Sequence, residues 1–294
     1  MNRKVLLFQK DLFHFSAMQL YHETCQACSK LITNRYSTSF SLGIRTLSQR
    51  FRAPVYAIYG FVRYADEIVD TFHDFDKKYL LDAFREDAYR AIEQGISLNP
   101  VLHAFQQVVN EFNIERELID AFLHSMEMDL DQSTHNDNTY GEYIYGSAEV
   151  VGLMCLRVFC EGDNAQYEQL KPGARSLGAA FQKVNFLRDL KSDYQERGRV
   201  YFPGVDFDHF DNEAKAIIEA DIQKDFDDAL QAIRQLPSGA RKGVYLAYVY
   251  YRKLFEKIRQ APAVRVQQAR IRIPDGRKLT LLIQSYFKHR LNAI

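Results

Sequence analysis

Tyr59, Arg63, Asp66 and Asp70 stand at i, i+4, i+7 and i+11, a spacing that keeps four side chains on one face of an α-helix. Around them Ala57, Ile58, Phe61, Val62, Ala65, Ile68 and Val69 are apolar, so the polar stripe is narrow and crosses a greasy surface. A second stripe has the same grammar. Gln182, Asn185, Asp189 and Asp193 fall at i, i+3, i+7 and i+11, flanked by Phe181, Val184, Phe186, Leu187 and Leu190. Two Asp four residues apart most often sit on a solvated face; apolar flanks and repetition set these apart. Asp is a poorer helix former than Glu, so two helices that each take it twice use the short carboxylate for something. Facing pairs of carboxylates make an oxygen-rich site for a hard cation, and Mg²⁺ binds through one or two carboxylates plus substrate phosphates. Arg63, Arg188, Arg197 and Arg199 lie beside the stripes and could clamp a phosphate through paired hydrogen bonds. Neither stripe contains His, which makes zinc or iron less natural. The pattern implies Mg²⁺ and a diphosphate.

The elements that must position these residues read as helices nearly throughout. Apolar residues recur at helical spacing over roughly 17–33, 47–72, 76–95, 114–130, 139–160, 172–196, 208–235, 240–260 and 276–292. Turn residues separate them, among them Asn99-Pro100, Lys171-Pro172-Gly173 and Phe202-Pro203-Gly204. The best period-two run, Ala269 to Ile273, is short. No internal repeat and no Gly-, Ser- or Pro-rich linker divides the chain. The expectation is a single all-α domain over residues 1–294.

The chain has 294 residues, with 38 Lys+Arg against 38 Asp+Glu, and this neutrality argues against a nucleic-acid partner held by bulk positive charge. Hydrophobic residues at 47% and charged residues at 26% are globular proportions that exclude disorder and low-complexity character. Four cysteines, with a single CxxC at Cys25 and Cys28, read as reduced thiols rather than a zinc or disulfide framework. The N-terminal apolar run is broken by Gln9, Lys10 and Asp11, unlike a signal peptide, and no stretch has the unbroken apolar length of a membrane span. A cytoplasmic protein is expected. Val5, Phe8, Leu12 and Phe15 recur at helical spacing; this face either packs on the body of the protein or makes peripheral contact with a membrane.

Five segments, in order, resemble the squalene and phytoene synthases within the class I isoprenoid synthases. They are RYSTSFSLG (Arg35 to Gly43), AIYGFVRYADEIVD (Ala57 to Asp70), YIYGSAEVVG (Tyr143 to Gly152), QKVNFLRDLKSD and GRVYFP. The resemblance implies a helical bundle with a central active-site cavity and head-to-head condensation of two polyprenyl diphosphates. It implies that Asp66, Asp70, Asn185, Asp189 and Asp193 hold Mg²⁺, with Mn²⁺ as a substitute, and that Arg63 and Tyr143 join them as catalytic residues. Ser37, Ser39, Phe40, Ile44, Tyr59, Gln182, Arg188, Arg199, Tyr201, Tyr251 and Arg270 would contact substrate. Aromatic faces stabilise carbocations without trapping them, which gives a use for 18 Tyr and 21 Phe in a chain without Trp.

Within that family the resemblance points most to bacterial phytoene synthases, which join two geranylgeranyl diphosphates in carotenoid biosynthesis. Ile44 stands where shorter-chain relatives tend to place a bulkier aromatic. Dehydrosqualene or squalene synthesis from two farnesyl diphosphates is the alternative, and no NADPH is expected. From a different class, an all-α Mg²⁺-dependent phosphohydrolase would also use carboxylates on paired helices, and His73-Asp74 hints at one. Oligomeric state is not legible.

Overall fold

The computed structural model describes residues 3–131, 134–205 and 207–272, with side chains from residue 17 onward, Arg197 excepted. In chain order the helices are α1 (Arg3–Tyr36), α2 (Thr38–Arg45), α3 (Gln49–Thr71), α4 (Lys77–Gln94), α5 (Pro100–Phe112) and α6 (Arg116–Asp131). They continue with α7 (Asp137–Ile144), a π-turn (Tyr145–Glu149), α8 (Val150–Cys160), α9 (Asn164–Arg197), α10 (Asn212–Gln235), α11 (Ser238–Arg259) and α12 (Ala263–Gln268). Among the described residues there is no strand, only an isolated bridge between Thr134 and Val200. The side chains of Val5, Phe8, Leu12 and Phe15, that of Arg197, and residues 276–292, where a further helix is expected, lie outside what the structure describes.

Several boundaries follow from capping. Asp76, Asn99, Asp163 and Asp211 each accept hydrogen bonds from first-turn backbone N–H groups, satisfying donors that a helix start leaves orphaned. Asn99-Pro100 is therefore both a turn and the start of α5, which the sequence reading left out: Pro100 sits at the first helical position, where its missing N–H costs nothing. Ser37 likewise caps α2 through the Phe40 N–H at 3.2 Å, so the RYSTSFSLG segment ends one helix and opens another.

Lys171-Pro172-Gly173 does not form the expected turn. Pro172 lies inside α9, which starts at Asn164 instead of near 172. Packing on α10 overrides the local signal here. A Cβ on Gly173 would meet the Ala232 Cβ at 2.2 Å, so the glycine marks a close helix crossing. Residues 269–272 are irregular, not a strand. The run Asp137–Cys160 is also, by length and composition, apolar enough to cross a membrane, contrary to expectation, yet 56% of its most apolar window is buried inside the protein.

One contiguous core joins these helices. Its centre is α3, whose Phe61 ring stacks on Phe105 of α5 at 3.9 Å and also touches Phe84 and Phe122. Burying four such rings anchors α3 by several kcal/mol. A rigid α3 holds the first aspartate pair in register with α9. The chain leaves α9 through Gly198 at φ 65°, a left-handed position that glycine takes without a Cβ penalty. This turn directs Arg199 and Tyr201 back toward the bundle.

Candidate active site

The two aspartate stripes face one another across a cavity of about 630 Å³. From α3 come Tyr59, Arg63, Asp66 and Asp70; from α9 come Gln182, Asn185, Arg188, Asp189 and Asp193. Ser37, Ser39, Phe40 and Ile44 enter from the α1–α2 junction and α2, Tyr143 from α7 and Tyr251 from α11. Arg199 and Tyr201 come from the segment after Gly198, and Arg270 from the segment after α12. Every site residue expected from the sequence thus lines the same cavity.

Its mouth is a lattice of alternating charge. Arg63 pairs with Asp66 and with Glu67, and its guanidinium lies 4.3 Å from the centre of the Tyr36 ring. Arg199 reaches Asp70 at 3.0 Å, while Asp189 is held by Arg188 at 2.5 Å and Arg270 at 2.7 Å. Burial disfavours the charged forms of Arg188 and Arg199, but hydrogen bonding and charge from Asp189 outweigh it for the first, and Asp129, Tyr201 and Asp70 outweigh it for the second, so both guanidiniums are held more firmly protonated than usual.

Asp129 is the residue that sequence reasoning missed. It accepts hydrogen bonds from the Tyr143 hydroxyl at 2.8 Å and the Tyr201 hydroxyl at 3.2 Å. Arg199 donates to its backbone oxygen at 2.9 Å and approaches its carboxylate at 3.4 Å. Burial pushes the Asp129 carboxyl up to about 7, with Arg199 and the Tyr143 hydrogen bond opposing. A signal was present: Phe122, Met126 and Asp129 fall at i, i+4 and i+7 on α6 and all line the cavity, placing one acid on an otherwise apolar stripe.

Below the mouth the walls turn aromatic, then aliphatic. Phe186 stacks on Tyr201 at 4.0 Å, Tyr143 lies 5.1 Å from Tyr201, and Phe40 meets Tyr59 at 5.0 Å. Burial raises the hydroxyls of Tyr143 and Tyr201 and pushes Tyr59 up to about 12, so all three are neutral phenols at ordinary pH. Phe181 stacks on Tyr251, whose hydroxyl donates to Asn185 at 3.3 Å. Lining residues on α9 run from Asp193 at the mouth to Leu170, and the stretch from Asn185 to Leu170 covers about 22 Å of helix axis at 1.5 Å per residue.

The donors at the mouth are carboxylate, amide and hydroxyl oxygens, which suits a hard divalent cation. Among the described residues no three His, Cys, Asp or Glu side chains converge into a ready-made cage. An ion here would take one or two carboxylates and complete its shell with water and phosphate oxygens, the usual habit of Mg²⁺. All four cysteines are free. His73 lies away from the cavity, against the Lys77 amine at 2.9 Å.

Comparison with known proteins gives a family and a fold. The squalene/phytoene synthase family profile matches residues 33–277. A tomato (Solanum lycopersicum) protein, phytoene synthase 1, chloroplastic, is 29% identical over 261 residues, 81% of this chain and 62% of its own length. The 15-cis-phytoene synthase of Synechococcus elongatus is 27% identical, covering 90% of this chain and 93% of that one. The crystal structure of a dehydrosqualene synthase superposes with a TM-score of 0.79 at 22% identity, covering 93% and 98% of the two chains. The chain therefore spans less than two thirds of the tomato protein's length.

Proposed function

Because the chain belongs to the squalene/phytoene synthase family, we propose that it joins two C20 polyprenyl diphosphates head to head to give phytoene. The observation that carries this reading is the cavity itself, with two facing aspartate pairs and four arginines at the mouth of a deep apolar channel. Three bonds separate consecutive Cα atoms 3.8 Å apart, so a four-bond isoprene unit extends about 5 Å and a C20 tail about 20 Å. That length is matched by the roughly 22 Å of helix axis between Asn185 and Leu170 on the lining face of α9; a C15 tail of about 15 Å falls short of Leu170.

Members of the family typically depend on Mg²⁺. Mg²⁺ held by Asp66, Asp70, Asn185, Asp189 and Asp193 would stabilise negative charge on departing diphosphate. Arg63, Arg188, Arg199 and Arg270, which pair with carboxylates at the mouth, have donors suited to phosphate oxygens. Gln182 and Asn185 orient ligands beside them. In the reaction one C–O bond breaks, diphosphate leaves, and the resulting allylic cation is attacked by the other substrate's double bond. Proton loss then closes a cyclopropylcarbinyl diphosphate. A second ionisation, rearrangement and proton loss give the hydrocarbon, so two diphosphates and two protons are released overall.

Tyr59, Tyr143, Tyr201, Tyr251 and Phe40 present ring faces to these cations. As neutral phenols with hydroxyls engaged by Asp129, Asn185 and one another, Tyr143, Tyr201 and Tyr251 are poor nucleophiles. Phytoene is nearly insoluble in water, so we also place the protein in the cytoplasm with product handed to a membrane surface. The test of the reading is formation of a coupled C40 hydrocarbon, with release of inorganic diphosphate, from geranylgeranyl diphosphate with Mg²⁺ present. Coupling that stops on chelation and returns on adding Mg²⁺ supports it. Coupling that persists under chelation, or none from either geranylgeranyl or farnesyl diphosphate, overturns it.

A further inference from the structure

The cavity lining extends well beyond the residues that carry the chemistry at its mouth. On α7 and α8 the lining residues step from Tyr143 through Ser147, Val151 and Cys155 to Phe159, about 24 Å along the helix axis. On α2 they step from Ser37 through Phe40 and Ile44 to Leu47, and on α9 from Asn185 to Leu170. Leu236 of α10 lines the cavity as well. Leu47, Phe159, Leu170 and Leu236 are all buried, none more than 7% exposed. Phe159 is the one aromatic ring among the four.

Phe159 is also braced from behind. Its ring meets Phe51 edge-on, with centroids 5.5 Å apart, and Phe51 is itself buried at 1% exposure. Beyond Phe51 lies the protein surface, where the Arg50 guanidinium covers the Phe51 face at 4.7 Å and pairs with Glu161 at 2.9 Å. The ring has a fixed partner behind it and cannot retreat into a void. An aliphatic side chain in its place would leave the space in front of Phe51 open to the channel.

We propose that Phe159 is the residue that sets the longest isoprenoid tail the protein accepts. The inference rests on the proposed prenyl-coupling reading and deepens it. A C20 tail of about 20 Å ends against this ring; a fifth isoprene unit adds about 5 Å and would have to occupy the ring's own position. One methylene in an apolar pocket is commonly worth about 10–200-fold in discrimination, so a clash of this size rejects a C25 substrate strongly.

The experiment compares Phe159→Ala and Phe159→Leu with the unaltered protein, each given geranylgeranyl diphosphate and geranylfarnesyl diphosphate in competition with Mg²⁺. Hydrocarbon products are separated by mass. The expected result is a C25-to-C20 usage ratio at least about tenfold higher for Phe159→Ala, with Phe159→Leu in between. Phe159→Leu retains most of the buried volume and carries the test if the alanine variant does not fold. An unchanged ratio in a variant that still consumes the C20 substrate overturns the assignment while leaving the family-level reaction intact. No hydrocarbon from the unaltered protein with any substrate overturns both.

Discussion

Asp129 offers the sharpest physical test, because its environment fixes a sign as well as a size. Burial raises its carboxyl from 3.8 to about 7. Between those values the folded protein holds a proton that the unfolded chain has released, so folding stability must fall as pH rises through this window. The loss attributable to this one group is on the order of a few kcal/mol between pH 4 and pH 7. Asp129→Asn keeps the shape and can still accept a hydrogen bond from Tyr143 or Tyr201, but it does not titrate. Urea unfolding of both proteins at half-unit steps of pH, with linear extrapolation, isolates the term as a difference. The unaltered protein should lose ground to Asp129→Asn as pH rises from 4 towards 7, and the difference should level off at higher pH. A flat difference would refute the reasoning. So would a difference of opposite slope, which would mean that Arg199 lowers the carboxyl more than burial raises it.

Three further outcomes follow from the same structure. Asp66→Asn and Asp193→Asn should each lower turnover roughly 10²–10³-fold with little change in unfolding midpoint, since both acids line the cavity mouth; activity within a few fold of normal would remove them from the metal set. Gly173→Ala forces a Cβ to 2.2 Å from Ala232 and should cost about 1–3 kcal/mol in urea unfolding; no loss would mean that α9 and α10 can separate freely. Lys183 is nearly buried and bonds Asp221 at 2.5 Å and Asp225 at 2.8 Å; solvent screens the exposed Asp221, so Lys183→Met should leave the more buried Asp225 uncompensated and cost about 1–3 kcal/mol, an effect checked by the same assay and refuted by unchanged stability.

The parts of this site that were legible in the sequence are those on a single regular helix. Tyr59 to Asp70 and Gln182 to Asp193 repeat at helical spacing, and that spacing alone places their side chains on one face. The packing of α9 was not legible, because Pro172 and Gly173 are the ordinary marks of a turn. Only the Ala232 contact on another helix explains the glycine inside a helix. Asn99-Pro100 misled in the opposite direction, since the same two residues end a turn and begin α5. Asp129 carried only a weak signal, for a different reason: one acid on a stripe with Phe122 and Met126 has no partner in its own segment. Its hydroxyl and guanidinium partners arrive from residues 143, 199 and 201, and only the folded chain brings these together.

The central claim is that this cavity couples two C20 chains through their diphosphate-bearing ends. The most direct measurement is the mass of the hydrocarbon formed when the purified protein is given geranylgeranyl and farnesyl diphosphates together with Mg²⁺ and without NADPH. The main product should be a C40 triene-centred hydrocarbon. A C30 hydrocarbon as the main product would contradict the chain length read from the channel's lining, and free prenyl alcohols with no coupled product would contradict the claim itself.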